Sequence, residues 1–67
     1  MIALSVNGAP RQLDVATRVV DLVRSLGLEG KRIAVERNGE IVPRSRFEAV
    51  ELADGDSVEI VVAVGGG

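Results

Sequence analysis

Gly65, Gly66 and Gly67, at the end of the sequence, are the residues whose type and spacing point to chemistry. A run of three glycines has no side chains to pack and no preferred backbone well, so it is expected to leave the fold as a flexible extended arm. Its end is an unhindered carboxylate that can thread a channel too narrow for side chains and meet another protein's active site. A frayed terminus without a function is the ordinary alternative for such a tail. The rest of the composition offers no chemistry of its own. There is no Cys and no His, which removes thiolate nucleophiles, disulfides, the usual metal ligands and the usual base near neutral pH. No nucleophile and base pair can be assembled, so the sequence does not read as an enzyme.

Composition also narrows the partners. The chain has 67 residues, 46% hydrophobic and 27% charged, enough for one compact domain outside the regime of disorder. A net charge of -2 argues against neutralising a phosphate backbone, and a single Phe with no Trp or Tyr leaves no platform for stacking bases. Nucleic acid is therefore not an expected partner. The start, Met1 to Asn7, has no basic segment followed by a sustained apolar run, and the longest aliphatic stretch, Ile60 to Val64, is too short to cross a bilayer. No membrane is expected, and a cytoplasmic location is the default.

The elements that must position the arm follow from periodicity. Ile2, Leu4 and Val6 alternate with Ala3, Ser5 and Asn7, the period of a half-buried strand, and Asn7-Gly8 supplies residues that tolerate positive φ in a tight hairpin. A short second strand is expected around Arg11 to Asp14. Thr17 is placed to cap a helix whose apolar stripe is Val19, Leu22, Val23 and Leu26, and Gly27 stands where a left-handed residue would end it. Ile33 to Glu36 reads as a third strand, Asn38-Gly39 as a second hairpin turn into Ile41-Val42, and Pro43 as its stop. A less regular segment with Arg44, Arg46 and Phe47 follows. Asp54-Gly55-Asp56 then turns into the last and most apolar strand, Ser57 to Val64.

Two hairpins around one helix, closed by a Val-rich strand suited to a central position, predict an α+β fold of β-grasp type. It has a mixed sheet with one main helix packed on one face. Residues 1–64 form that domain and residues 65–67 the tail. If Val58, Ile60, Val62 and Val64 face the helix with Ile2, Leu4, Val6, Ile33 and Val35, then Ala3, Ser5, Ala34, Val61 and Ala63 fall on the opposite face. That face would be small, smooth and weakly polar, a surface a partner can cover while it steers the arm. A sheet face that merely tolerates small residues is the alternative.

Charge divides along the chain. Residues 1 to 46 hold all 8 basic and 5 acidic residues, while residues 47 to 67 hold 5 acidic and no basic ones. The second group, Glu48, Glu51, Asp54, Asp56 and Glu59, could steer the tail toward a basic entrance, although solvated turn carboxylates are the commoner explanation. Asp54-Gly55-Asp56 lacks the remaining spacing and closing Glu of a calcium loop, so no metal site is expected. Arg44 and Arg46 read as a soluble surface sooner than as an anion grip.

Three segments carry a resemblance: Val35-Glu36-Arg37-Asn38-Gly39-Glu40-Ile41-Val42-Pro43-Arg44, Leu52-Ala53-Asp54-Gly55-Asp56, and Val58 through Gly67. Together they resemble the ThiS family, the sulfur carriers of thiamine biosynthesis, which are ubiquitin-like β-grasp proteins. The resemblance implies that the Gly67 carboxylate is adenylated by a ubiquitin-activating-like adenylyltransferase using ATP. A sulfur donor such as a cysteine desulfurase then converts it to a thiocarboxylate, with Gly65 and Gly66 threading the partner's active site. It further implies delivery of that sulfur to thiazole synthase for the thiazole ring, with no cofactor held by the carrier itself. Two rivals stay open: a carrier of another pathway, such as one similar to the small subunit of molybdopterin synthase, and a β-grasp interaction module with an inert tail.

Overall fold

The computed structural model describes residues 1–63, so Val64 and the expected tail, Gly65, Gly66 and Gly67, lie outside the described residues. The described chain runs β1 (Ile2–Val6), β2 (Ala9–Leu13), α1 (Val19–Ser25), β3 (Ile33–Arg37), β4 (Glu40–Val42), a 3₁₀ turn (Arg44–Arg46) and β5 (Ser57–Val62). The strands form one mixed sheet in the order β2-β1-β5-β3-β4. The final strand lies at the centre, parallel to β1 and antiparallel to β3.

Both hairpins turn as their Asn-Gly pairs dictate. Asn7 and Gly8 have φ of 51° and 82°, Asn38 and Gly39 have 52° and 84°, the two consecutive positive values a type I′ turn needs. β2 begins at Ala9, two residues before the expected Arg11, because a two-residue turn brings Ala9 directly opposite Val6. Pro10 fits within it because its nitrogen faces the free edge of the sheet rather than β1.

The helix starts by a different device from the one expected. Thr17 does not cap it: the Thr17 hydroxyl donates to the Asp14 carbonyl at 2.7 Å. Arg18 occupies the cap position, and its backbone N–H is accepted by the Asp21 carboxylate at 3.0 Å. The first helical amides are met from far along the chain, Val19 N–H by the Val50 carbonyl at 3.0 Å and Val20 N–H by the Phe47 carbonyl at 2.9 Å. The other end closes as the sequence indicates. Gly27 has φ 73°, its N–H donates to the Arg24 carbonyl, and Leu28 N–H reaches back to the Val23 carbonyl, the paired bonds of a Schellman motif.

The core lies between α1 and one sheet face. Val19, Leu22 and Val23 of the helix meet Leu4, Val6, Val35, Val58 and Ile60 of the sheet, and Val42, Phe47 and Leu52 close the sides. The helix-facing assignment holds for Leu4, Val6, Val35, Val58 and Ile60, while Ile2 and Ile33 are half-buried. Val62 departs from it: at 39% exposure it is uncovered, because β5 has run past the region where the helix and its connections shield the sheet. Val64, placed in the same row by the sequence, is outside the described residues.

Candidate functional site

The site comprises the end of β5, which delivers the chain toward residues 64–67, and the sheet face away from the helix. β5 is held on one side by β3, with the last bond from Ala63 N–H to the Arg32 carbonyl at 2.9 Å. On the other side β1 pairs with it only through Ser57 and Val58. Beyond that point the Asn7 side chain takes over: its Oδ1 accepts the Ile60 N–H at 2.8 Å and its Nδ2 donates to the Ile60 carbonyl at 3.2 Å. Asn7 therefore both forms the hairpin turn and substitutes for a strand residue beside β5.

A second anchor fixes the start of β5. Asp56 is 6% exposed, and its carboxylate accepts from Arg37 Nε at 2.7 Å, Asn38 Nδ2 at 3.0 Å and the Ala53 N–H at 2.8 Å. Asn38 in turn accepts the Ser57 N–H on its Oδ1 at 2.9 Å. Burial pushes the Asp56 carboxyl up, but the bonds from Arg37, Ala53 and Asn38 and the Arg37 charge together outweigh it and hold the group below the usual Asp range. The neighbouring Asp54 accepts the Ala3 N–H at 2.7 Å. The Asp54-Gly55-Asp56 turn is thus a clamp on three strands, and the buried Asp56 takes no part in any steering surface. Arg44 is likewise engaged in the fold, donating from Nη2 to the Lys31 carbonyl at 2.8 Å.

The outer face brings together the residues expected there. Ala34 stands directly opposite Val61, with Ala3 and Ser5 on β1 and Ala63 just past the strand end; all are exposed except Ser5, which is half-buried. Its character differs from the weakly polar surface expected. Glu36 and Glu59 are direct cross-strand partners on this face; Ile41, opposite Glu36 on β4, is 66% exposed, and Val61, on β5, is 61% exposed. Neither glutamate has an ion-pair partner among the described residues. Opposed like charges destabilise a strand pair, so the Glu36–Glu59 pairing does not favour the stability of the isolated domain. Sequence reading missed Glu36, although the period of two puts it on the face of Ala34, and Ile41, although the Asn38-Gly39 turn sets it opposite Glu36; the opposition of Glu36 to Glu59 comes only from the β3–β5 register. Gly65, Gly66 and Gly67 are outside the described residues.

Among the described residues no helix is long and apolar enough to cross a membrane. A five-stranded mixed sheet with one helix across one face and its last strand in the middle defines a small ubiquitin-like β-grasp domain. Residues 4–67 match the model of the ThiS family. The fold matches the crystal structure of a thiamine biosynthesis protein (ThiS) from Geobacter metallireducens at 38% identity and a TM-score of 0.81, covering 98% of this chain and 100% of that one. The sulfur carrier protein ThiS of Bacillus subtilis is 51% identical over 49 residues, 73% of this chain and 74% of that protein. The thiazole synthase of Paramagnetospirillum magneticum is 44% identical over 64 residues, 96% of this chain. This chain spans only 20% of that synthase's length. The chain belongs to the ThiS family.

Proposed function

We propose that the domain is a sulfur carrier of thiamine biosynthesis whose working atom is the Gly67 carboxyl carbon. The supporting observation is that the family match runs to residue 67, through all three glycines, while β5 directs the chain toward them from the centre of the sheet. An adenylyltransferase similar to ubiquitin-activating enzymes joins the carboxylate to the α-phosphate of ATP, releasing pyrophosphate. A sulfur nucleophile at the sulfide oxidation level, released when a thiol reductant cleaves the S–S bond of a persulfide carried by a donor such as a cysteine desulfurase and is itself left as a disulfide, then attacks the acyl carbon. A C–S bond forms, the C–O bond to AMP breaks, and Gly67 is left as a thiocarboxylate. The carrier supplies no acid or base and holds no cofactor, and ATP belongs to the activating enzyme. A cytoplasmic setting provides that ATP.

Thiazole synthase is the proposed acceptor of the sulfur. Its support is the presence of a similar segment within longer proteins named thiazole synthase, where linkage would raise the effective concentration of carrier beside catalyst. The outer face of Ala3, Ser5, Ala34, Val61 and Ala63, with Ile41, Glu36 and Glu59, is the proposed docking surface. Its apolar side chains favour burial and its paired carboxylates favour a basic partner.

Intact mass after incubation with ATP, sulfide and the activating enzyme tests the reading, beside a chain lacking Gly67. Replacement of one oxygen by sulfur in the full chain alone is the expected result. No change with an enzyme that loads its own carrier would favour the inert-tail module.

A further inference from the structure

Among the described residues, the hydrogen-bond ladder leaves one place on β5 open. Asn38 N–H donates to the Ser57 carbonyl at 2.8 Å and Ala63 N–H to the Arg32 carbonyl at 2.9 Å. Antiparallel pairs alternate between bonded and non-bonded, so with this register Glu36–Glu59 and Ala34–Val61 are the bonded pairs. Val58, Ile60 and Val62 therefore aim their N–H and C=O groups away from β3, toward the side of β1. The Val58 carbonyl accepts the Asn7 N–H at 2.8 Å, and both Ile60 groups are met by the Asn7 side chain. Val62 is next in that row, past the end of β1, and no described residue hydrogen-bonds its N–H or its C=O.

The remaining edges of the sheet are blunted. β2 carries Pro10 with its nitrogen outward, and β4 is three residues long and ends at Pro43. The end of β5 has neither protection. Ile60-Val61-Val62-Ala63 contains no charge and no proline, and it exposes Val61 at 61% and Val62 at 39% on its two faces. An open backbone flanked by apolar side chains is a template for another strand.

We propose that the β1-side edge of β5 at Val62 is a strand-docking site, where an extended apolar segment of a partner enzyme pairs in line with β1, beyond Asn7, and continues the mixed sheet. The inference rests on the carrier reading, in which a partner handles the chain just beyond Ala63. Main-chain bonds to Val62 give the segment its register, and its own apolar side chains cover Val61 and Val62.

Amide hydrogen exchange by NMR on the full chain tests this, alone and saturated with thiazole synthase or with the activating enzyme from the same organism. Val61 and Ala63, whose amides point to β3, are internal controls. In the free chain the Val62 amide is expected to exchange about tenfold or more faster than theirs, and to slow by about tenfold or more in at least one complex. A synthetic chain with N-methylated Val62 should keep the parent's melting temperature yet bind that enzyme about tenfold or more weakly. Unchanged Val62 exchange in both saturated complexes overturns the proposal, as does full-strength binding by the N-methylated chain. Protection in the concentrated free chain that is lost on dilution overturns it too, and assigns the edge to a second copy. The two readings fail separately: sulfur loading with Val62 never protected removes the edge and keeps the carrier, whereas Val62 protection without loading does the reverse.

Discussion

Arg37 Nε lies 2.7 Å from Asp56 Oδ2, joining the end of β3 to the turn that launches β5. Arg37 keeps 31% of its side chain exposed while Asp56 keeps 7%. The carboxylate is therefore the partner that depends on the bond, because it has little water to return to. Asp56→Ala would free Arg37, Asn38 and the Ala53 amide together, and a loss of about 2 to 4 kcal/mol is expected in urea unfolding.

The same carboxyl sets an acid limit. Its pKa is lowered on folding, so the unfolded chain binds this proton more readily than the folded one. The stabilisation is complete above the ordinary Asp value of about 4 and is lost as pH falls through the lower folded value. Melting temperature should therefore fall in that acid window, and the part due to this group should be missing from Asp56→Asn.

Asn7→Gly separates the two duties of Asn7. Glycine keeps the positive φ of the turn but removes both bonds to Ile60. A loss of about 1 to 3 kcal/mol is expected, with the Ile60 amide becoming fast to exchange while the hairpin register is retained.

Leu22 is 1% exposed at the centre of the core. Leu22→Ala should cost about 2 to 5 kcal/mol, read by thermal or denaturant unfolding.

Val61→Lys addresses the outer face. The site is 61% exposed, so stability should stay within about 0.5 kcal/mol of the parent, while a cation beside Glu36 and Glu59 offsets the negative charge proposed to favour a basic partner. Affinity for the activating enzyme, measured calorimetrically, is expected to fall by about tenfold or more.

Local chemistry made much of the fold legible. Asn7-Gly8 and Asn38-Gly39 set two turns, alternation placed Leu4, Val6, Val35, Val58 and Ile60, and the stripe from Val19 to Val23 placed the helix. What was hidden depends on distant segments. Thr17 fits a cap by type, yet the helix start is satisfied by carbonyls at Phe47 and Val50, supplied by a loop with no period to read. That loop also buries Phe47 and Leu52. A period of two assigns Val62 to the inner face but does not say how far the helix side covers it. The outer face was located by parity, whereas its opposed Glu36 and Glu59 emerge only from register.

The position of β5 between β1 and β3 has a consequence for synthesis on the ribosome. Both hairpins and the helix precede it, yet Leu4, Val6 and Val35 have no strand beside them on that side until Val58 and Ile60 have been made. A nascent chain stopped before residue 57 holds two isolated hairpins, each marginal in water, and a seven-residue helix too short to persist alone. The domain must therefore acquire its sheet in one late step, as the last strand emerges, and the glycines proposed to carry the sulfur are translated just after the strand that completes the sheet.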